Sequence, residues 1–193
     1  METEVKLYTP DHQVVRARLE ALGASLSVPR VLERNWRYDT PQRSLSSTDQ
    51  VLRLRQDSAV RLTYKGHSNA VNGILSRPEY EVSLDDFETM DAILRALGYA
   101  PYMIYEKYRT TYQLGAVEVV LDELPYGCFT EIEGEAQAIE QAIVQLGLSA
   151  APRLPASYAV LFERVKRRLG LSFSDLTFAN FAGLSVPPEA FLA

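Results

Sequence analysis

The sequence is poor in the residues that build disulfide frameworks and zinc sites, since its 193 residues include one cysteine and two histidines. The single cysteine, Cys128, excludes an internal disulfide and fits a reducing compartment, so we expect a cytoplasmic protein. No run approaches the ~18 apolar residues that a membrane-spanning helix needs. The chain opens on a charged segment and not on a secretory signal. We therefore expect no membrane partner.

An excess of basic residues is also missing, because 20 Lys and Arg stand against 25 Asp and Glu. A net charge of -5 at pH 7 leaves no wide basic surface for a phosphate backbone, so we expect no nucleic-acid partner. The sequence has no Walker A motif, no dinucleotide-binding glycine pattern and no nucleophile elbow. These absences exclude the common nucleotide-binding and serine-hydrolase signatures.

Strand-like segments joined by mostly short loops dominate the pattern and favour antiparallel pairing. Val51–Gln56 and Val60–Lys65 predict a hairpin, whereas residues 67–76, with two asparagines and Gly73, predict a mobile loop. Three or four amphipathic segments predict helices. We expect an α+β fold, an eight-stranded antiparallel closed β-barrel with helices packed outside, because closure removes the strand edges. Residues 1–170 would form the domain, and residues 171–193 a tail packed on it or fraying.

Like-charged residues recur at alternate positions on five of these segments. Residues i and i+2 of a strand share one face and lie about 6.6 Å apart. The acidic members are Glu2, Glu4, Glu79, Glu81, Asp122, Glu131 and Glu133. The basic members are Lys6, Arg53, Arg55, Lys65, Arg77, Lys107 and Arg109. Apolar residues occupy the opposite face, where helices outside a barrel would cover them, so we expect the charges to point into a polar lumen.

Separation of the two signs over five strands indicates a binding site, although one such pair alone is usually solvated surface. Arginine and lysine suit a compact polyanion, because guanidinium groups grip phosphate oxygens in pairs. Acidic ligands without cysteine or histidine favour Mg²⁺ or Mn²⁺ over zinc. The pattern therefore predicts a small-molecule triphosphate bound with a divalent cation, in a monomer or homodimer.

Seven ordered motifs also carry a resemblance to a known family. They are Glu2-Thr3-Glu4-Val5-Lys6, Leu52-Arg53-Leu54-Arg55, Leu62-Thr63-Tyr64-Lys65-Gly66, Arg77-Pro78-Glu79-Tyr80-Glu81, Glu106-Lys107-Tyr108-Arg109, Leu121-Asp122 and Gly127-Cys128-Phe129-Thr130-Glu131-Ile132-Glu133. In this order, over roughly residues 1–165, the chain resembles the CYTH superfamily, the triphosphate tunnel metalloenzymes.

The resemblance implies a tunnel in which basic residues bind a triphosphate and acidic residues bind the metal. By position, the ligands of the catalytic metal would be Glu2, Glu4, Asp122, Glu131 and Glu133. Glu79 and Glu81 would support a second metal or orient the basic side chains. Some hydrolytic members are thought to activate water with a lysine–tyrosine pair, which by position would be Lys107 and Tyr38.

The family divides between triphosphate hydrolases and class IV adenylyl cyclases. The chain lacks a His-Phe pair ahead of its first strand and has Asn35 where aspartate is often found, which disfavours the cyclase. Our first prediction is a divalent-metal-dependent phosphohydrolase acting on inorganic triphosphate, thiamine triphosphate or a nucleoside triphosphate. The alternatives are a cyclase that converts ATP to cyclic AMP and pyrophosphate, and a non-catalytic polyphosphate or nucleotide sensor, which retention of the carboxylates disfavours.

Overall fold

A computed structural model describes residues 2–192, which form one antiparallel sheet with helices packed against it. The strands are β1 (Glu2–Tyr8), β2 (Ser25–Asp39), β3 (Val51–Gln56), β4 (Val60–Lys65), β5 (Asn69–Val71), β6 (Ile74–Arg77), β7 (Glu79–Leu84), β8 (Ala100–Leu114), β9 (Val117–Leu124) and β10 (Gly127–Glu133). The helices are α1 (His12–Ala21), α2 (Phe87–Ala96), α3 (Ala136–Gln145), α4 (Tyr158–Leu169) and α5 (Glu189–Leu192). None of these helices has both the length and the apolar character that crossing a lipid bilayer requires.

The predicted closed eight-stranded barrel is wrong. Among the described residues the sheet has ten strands in the order β5-β6-β1-β10-β9-β8-β2-β3-β4-β7, and its end strands do not pair with each other. The predicted hairpin of β3 and β4 is confirmed with its bounds. The additional strands β5 and β6 lie where a mobile loop was predicted, and they turn at Asn72 and Gly73, which both have positive φ. An Asn-Gly pair suits such a two-residue hairpin turn.

Pro78 interrupts the chain where β6 and β7 would otherwise run on as one strand. Strand β6 ends at Arg77 and pairs with β1, whereas β7 begins at Glu79 and pairs with β4. The chain therefore passes from the strand next to one end of the sheet to the strand at the other end through a single residue. Proline has no N–H to donate to a ladder, and the Pro78 carbonyl accepts a hydrogen bond of 2.9 Å from the amide of Gly66.

The sheet is nevertheless strongly curled, with its charged face on the inside. Lys65 of β4 and Glu2 of β1 approach to 2.6 Å between Nζ and Oε1, although their strands lie near opposite ends of the sheet. On the outside, Val5 and Leu7 of β1 are fully buried in a cluster that also contains residues of α1 and α3. A second cluster packs α2 against β2, β3 and β4.

A third apolar cluster places the C-terminal segment against the sheet. It joins α4 to residues of β8, β9 and β10, and it includes the buried side chains of Phe181 and Phe191. Residues 171–192 thus pack on the rest of the chain, while the domain boundary at residue 170 stays a prediction.

The open edge predicts uneven hydrogen exchange. Because β7 pairs only with β4 within residues 2–192, about half of the amides of Glu79–Leu84 have no partner in the ladder and should exchange quickly. Amides of Val117–Leu124, which lies between β8 and β10, should be protected throughout. Amide exchange followed by nuclear magnetic resonance checks this. Equal protection of both strands would mean that the sheet closes in solution.

Candidate functional site

The concave face of the sheet surrounds a cavity of about 500 Å³. Its basic lining residues are Lys6, Arg37, Arg53, Arg55, Lys65, Arg77, Lys107 and Arg109. Its acidic lining residues are Glu2, Glu4, Asp49, Glu79, Glu81, Glu118, Glu131 and Glu133. The structure thus brings together all the predicted site residues except Asp122 and Tyr38, and the roles assigned to them stay predictions.

Asp122 lies directly behind the cavity lining and is fully buried. Its carboxylate accepts hydrogen bonds from Lys107 Nζ at 2.9 Å, from Arg109 Nε at 2.7 Å and Nη2 at 2.6 Å, and from the Tyr158 hydroxyl at 2.9 Å. Burial, together with this carboxylate, raises the pKa of Tyr158 well above its usual value. As placed, Asp122 orients two basic side chains and anchors α4 to the sheet.

Glu33 of β2 is an acidic residue that the sequence analysis missed. It is 2% exposed and lies 3.5 Å from Lys107 and 3.4 Å from Arg55. Although burial opposes its ionisation, the positive charges of Lys107, Arg109 and Arg55 hold the pKa of Glu33 at about 2. It therefore stays ionised and fixes the basic side chains from beneath. In the sequence, the alternation of Glu33, Asn35 and Arg37 on one strand was the signal that these side chains share a face.

The alternation of side chains along β2 determines which of them reaches the cavity. Arg37 lines the cavity, whereas Trp36 and Tyr38 lie on the opposite face, and pairing with β3 is regular at these positions. The register with β8 shifts between Arg37 and Tyr38. Tyr38 is 1% exposed in the outer cluster beneath α2, where its hydroxyl donates to Asp91. The predicted pair of Lys107 and Tyr38 is therefore not formed.

Two other tyrosines do line the cavity near Lys107. The Tyr105 hydroxyl accepts a hydrogen bond of 3.4 Å from Arg53 Nη1. Burial works against ionisation of Tyr105, but the charges of Arg53 and Lys107 outweigh it and lower the pKa of this phenol. Tyr158 presents its ring to Lys6 and Lys107, whose Nζ atoms lie 4.4 Å and 5.5 Å from the ring centroid.

The acidic residues concentrate on β1, β9 and β10. Glu133 of β10 is directly opposite Glu4 of β1 and Glu118 of β9. Partial burial, and then the carboxylates of Glu2, Glu118 and Glu4, raise the pKa of Glu133 to about 7. Burial also raises the pKa of Glu4, with Glu131 as the next cause. Like charges facing each other across strands destabilise a sheet, so this end of the cavity favours an added cation.

The donor chemistry of this acidic end fits a divalent cation. Carboxylate oxygens are the ligands that Mg²⁺ and Mn²⁺ prefer, and several of them point into one cavity. As the side chains stand within residues 2–192, no three His, Cys, Asp or Glu are arranged as a finished metal site. Several of these carboxylates contact basic side chains instead, as Glu2 contacts Lys65 at 2.6 Å and Arg77 at 3.1 Å.

Comparison with known proteins identifies the fold and the family. The model of the CYTH domain family matches residues 1–157, which is most of the chain. The chain belongs to the CYTH family. The resemblance drawn from its seven motifs is thereby confirmed.

Individual relatives of this CYTH chain carry cyclase and triphosphatase names. Adenylate cyclase CyaB of Aeromonas hydrophila is 28% identical over 180 residues, 84% of this chain and 89% of the relative. A structure from Vibrio parahaemolyticus named as an adenylate cyclase matches with a TM-score of 0.73 at 22% identity, over 88% of this chain and 98% of that one. A Hippeastrum protein named as an adenylyl cyclase and described as having a dominant triphosphatase activity matches with a TM-score of 0.59 at 20% identity, over 97% and 98%.

Replacing Glu133 tests the electrostatics of the acidic end. The pKa of Glu133 in the folded CYTH protein is raised from 4.5 to about 7, so its contribution to stability is complete below pH 4.5 and is lost as the pH rises through 7. Glu133→Gln cannot ionise. In metal-free buffer its free energy of unfolding should therefore fall less than that of the wild type over this interval.

Urea denaturation at about pH 5 and about pH 7.5 measures the difference. Glu88→Gln, on the exposed surface of α2, is the matched control and should behave as the wild type. Identical pH dependence in the Glu133→Gln variant and the wild type would show that Glu133 is not forced to hold its proton.

Proposed function

We propose that this CYTH protein is a divalent-metal-dependent phosphohydrolase that acts on a triphosphate substrate. The observation that carries the proposal is the balance of the cavity lining, in which eight basic and eight acidic side chains face one space. Such a lining binds a polyanion less tightly alone than together with a cation. It suits a substrate that arrives with a cation, because phosphate oxygens and the metal can then replace the internal ion pairs.

The phosphate groups would be held by the predicted basic set, which is Lys6, Arg53, Arg55, Lys65, Arg77, Lys107 and Arg109. Arginines supply paired hydrogen bonds to phosphate oxygens and lysines supply point charges, and both stabilise the charge that spreads over the transferring phosphoryl group. Lys107 and Arg109 are already fixed by Asp122, so their positions are set before the substrate binds.

Mg²⁺ or Mn²⁺ would be held by Glu2, Glu4, Glu131 and Glu133. Asp122 would assist from behind the lining, and Glu79 and Glu81 would support a second ion or orient the basic side chains. When bound, such an ion neutralises phosphate charge and activates or positions a water for in-line attack.

Lys107 and Tyr105 would together activate the attacking water, which loses a proton as it attacks. Tyr105 takes the place that the sequence analysis gave to Tyr38, because its hydroxyl lies in the cavity beside Arg53 and its pKa is lowered. Lowering the pKa of a phenol increases the fraction present as phenolate, which is the form that accepts a proton. The dominant triphosphatase activity described for the Hippeastrum structure supports hydrolysis as the first choice.

ATP cyclisation is the second candidate, favoured by the name of the Aeromonas hydrophila relative. In that reaction the ribose 3′-hydroxyl replaces water as the nucleophile, attacks the α-phosphate and releases pyrophosphate. The same basic residues would hold the triphosphate in both reactions.

Product analysis separates the candidates. We expect the protein, incubated with inorganic triphosphate, thiamine triphosphate and ATP in turn, to release orthophosphate in the presence of Mg²⁺ or Mn²⁺ and none with chelator. Cyclic AMP and pyrophosphate from ATP would establish the cyclase instead. No turnover of any of the three substrates would overturn the proposal.

Glu4→Gln tests the metal site within that assay. Loss of one carboxylate ligand should lower the rate of hydrolysis at least ~100-fold, because the metal supplies several kcal/mol of charge stabilisation. Glu88→Gln should keep the wild-type rate. A fully active Glu4→Gln variant would remove Glu4 from the metal site.

A further inference from the structure

We propose that Arg37 binds one end of the triphosphate. Among the basic side chains of the cavity that the structure describes, it is the one that can bind substrate without first breaking an internal ion pair. The inference rests on the proposed function only in taking a triphosphate as the ligand. No motif of the sequence singled out this residue, and its role follows from three features of its surroundings.

The first feature is the absence of an internal partner. In residues 2–192, the other seven basic side chains of the cavity each have a carboxylate oxygen within 4.0 Å. Over the same part of the chain Arg37 has none, and its Nε is buried without a hydrogen-bond partner. A buried guanidinium nitrogen without an acceptor costs free energy that an anionic ligand would recover.

The second feature is a like-charged neighbour. Arg37 of β2 is directly opposite Arg53 of β3, and both line the cavity. Like charges opposite each other on adjacent strands destabilise the sheet. Arg53 is partly compensated by Glu81, at 3.7 Å, and by the hydroxyl groups of Thr63 and Tyr105. An anion bound by both guanidinium groups would relieve the repulsion that remains.

The third feature is the position of Arg37 at a junction. A second cavity of about 360 Å³ adjoins the first, and Arg37 lines both. The β-bulge of β2 and β8 leaves Tyr102 out of the register, and the Tyr102 ring centroid lies 5.7 Å from the Arg37 guanidinium. Arg37 therefore stands where a triphosphate in the first cavity would end or continue into an organic group.

Arg37→Gln removes the charge and keeps a polar side chain of similar reach. Calorimetric titration with inorganic triphosphate, in metal-free buffer where no hydrolysis is expected, should show binding roughly 10- to 100-fold weaker than in the wild type. ATP should show the same loss, because the contact is to phosphate. Arg37→Lys should recover part of the affinity.

Arg43→Gln is the matched control. Arg43 lies 3.9 Å from the centroid of the same Tyr102 ring but lines neither cavity, so its loss should leave the affinity unchanged. The melting temperature of ligand-free Arg37→Gln should equal or exceed that of the wild type, because no internal ion pair is lost. A lower melting temperature would assign Arg37 to the structure and not to the substrate.

Wild-type affinity in Arg37→Gln, loss of affinity for ATP alone, or failure of the wild type to bind either compound would overturn the inference. Turnover by the wild type with Mg²⁺ or Mn²⁺, measured separately, decides the proposed function. Binding without turnover would leave the assignment of Arg37 intact and remove the hydrolase. Turnover by the wild type, together with unchanged affinity in Arg37→Gln, would support the hydrolase and remove Arg37 from the substrate site.

Discussion

The charged interior of this protein depends on one buried carboxylate. Asp122 is fully buried on β9, where an unpaired charge would cost several kcal/mol, and it is stabilised by Lys107, Arg109 and the Tyr158 hydroxyl. These contacts join β8, β9 and α4. Loss of one partner from such a buried group typically costs about 3–5 kcal/mol, so the arrangement has little freedom to rearrange. The positions of the neighbouring basic side chains follow from it.

Compensation of charge extends from Asp122 through the rest of the cavity. Like charges about 6 Å apart repel by about 2–3 kcal/mol at an effective dielectric constant near 20, so the curled sheet could not enclose either sign alone. Instead, each basic side chain of β1 or β4 forms an ion pair with an acidic one. Examples are Lys65 with Glu2 and Lys6 with Glu131. The acidic and basic side chains of the cavity therefore compensate each other in the folded protein. A bound cation and a bound anion can replace these internal ion pairs.

The alternation of charged and apolar residues predicted the inner and outer faces of the sheet, because a strand directs successive side chains to opposite sides. It did not predict where strands end or shift. Residues 67–76 were predicted as a loop, yet they contribute to β5 and β6, and Pro78 separates β6 from β7, which pair near opposite ends of the sheet. The alternation in β2 that puts Arg37 on the cavity face and Tyr38 on the outer face was readable in the sequence, whereas the bulge beside them depends on pairing with β8. Periodicity determines faces, whereas register and closure depend on distant partners.

The central claim is that a metal and a triphosphate replace internal ion pairs of the cavity. Crystallography tests this claim most directly. Crystals grown with Mn²⁺ and inorganic triphosphate locate the metal by its anomalous scattering. We expect a manganese peak ligated by the carboxylates of Glu4 and Glu133, with phosphate oxygens contacting Arg37 and Arg53. A peak away from these carboxylates, or a triphosphate bound outside the cavity while the ion pair of Lys65 and Glu2 stays closed, would contradict this.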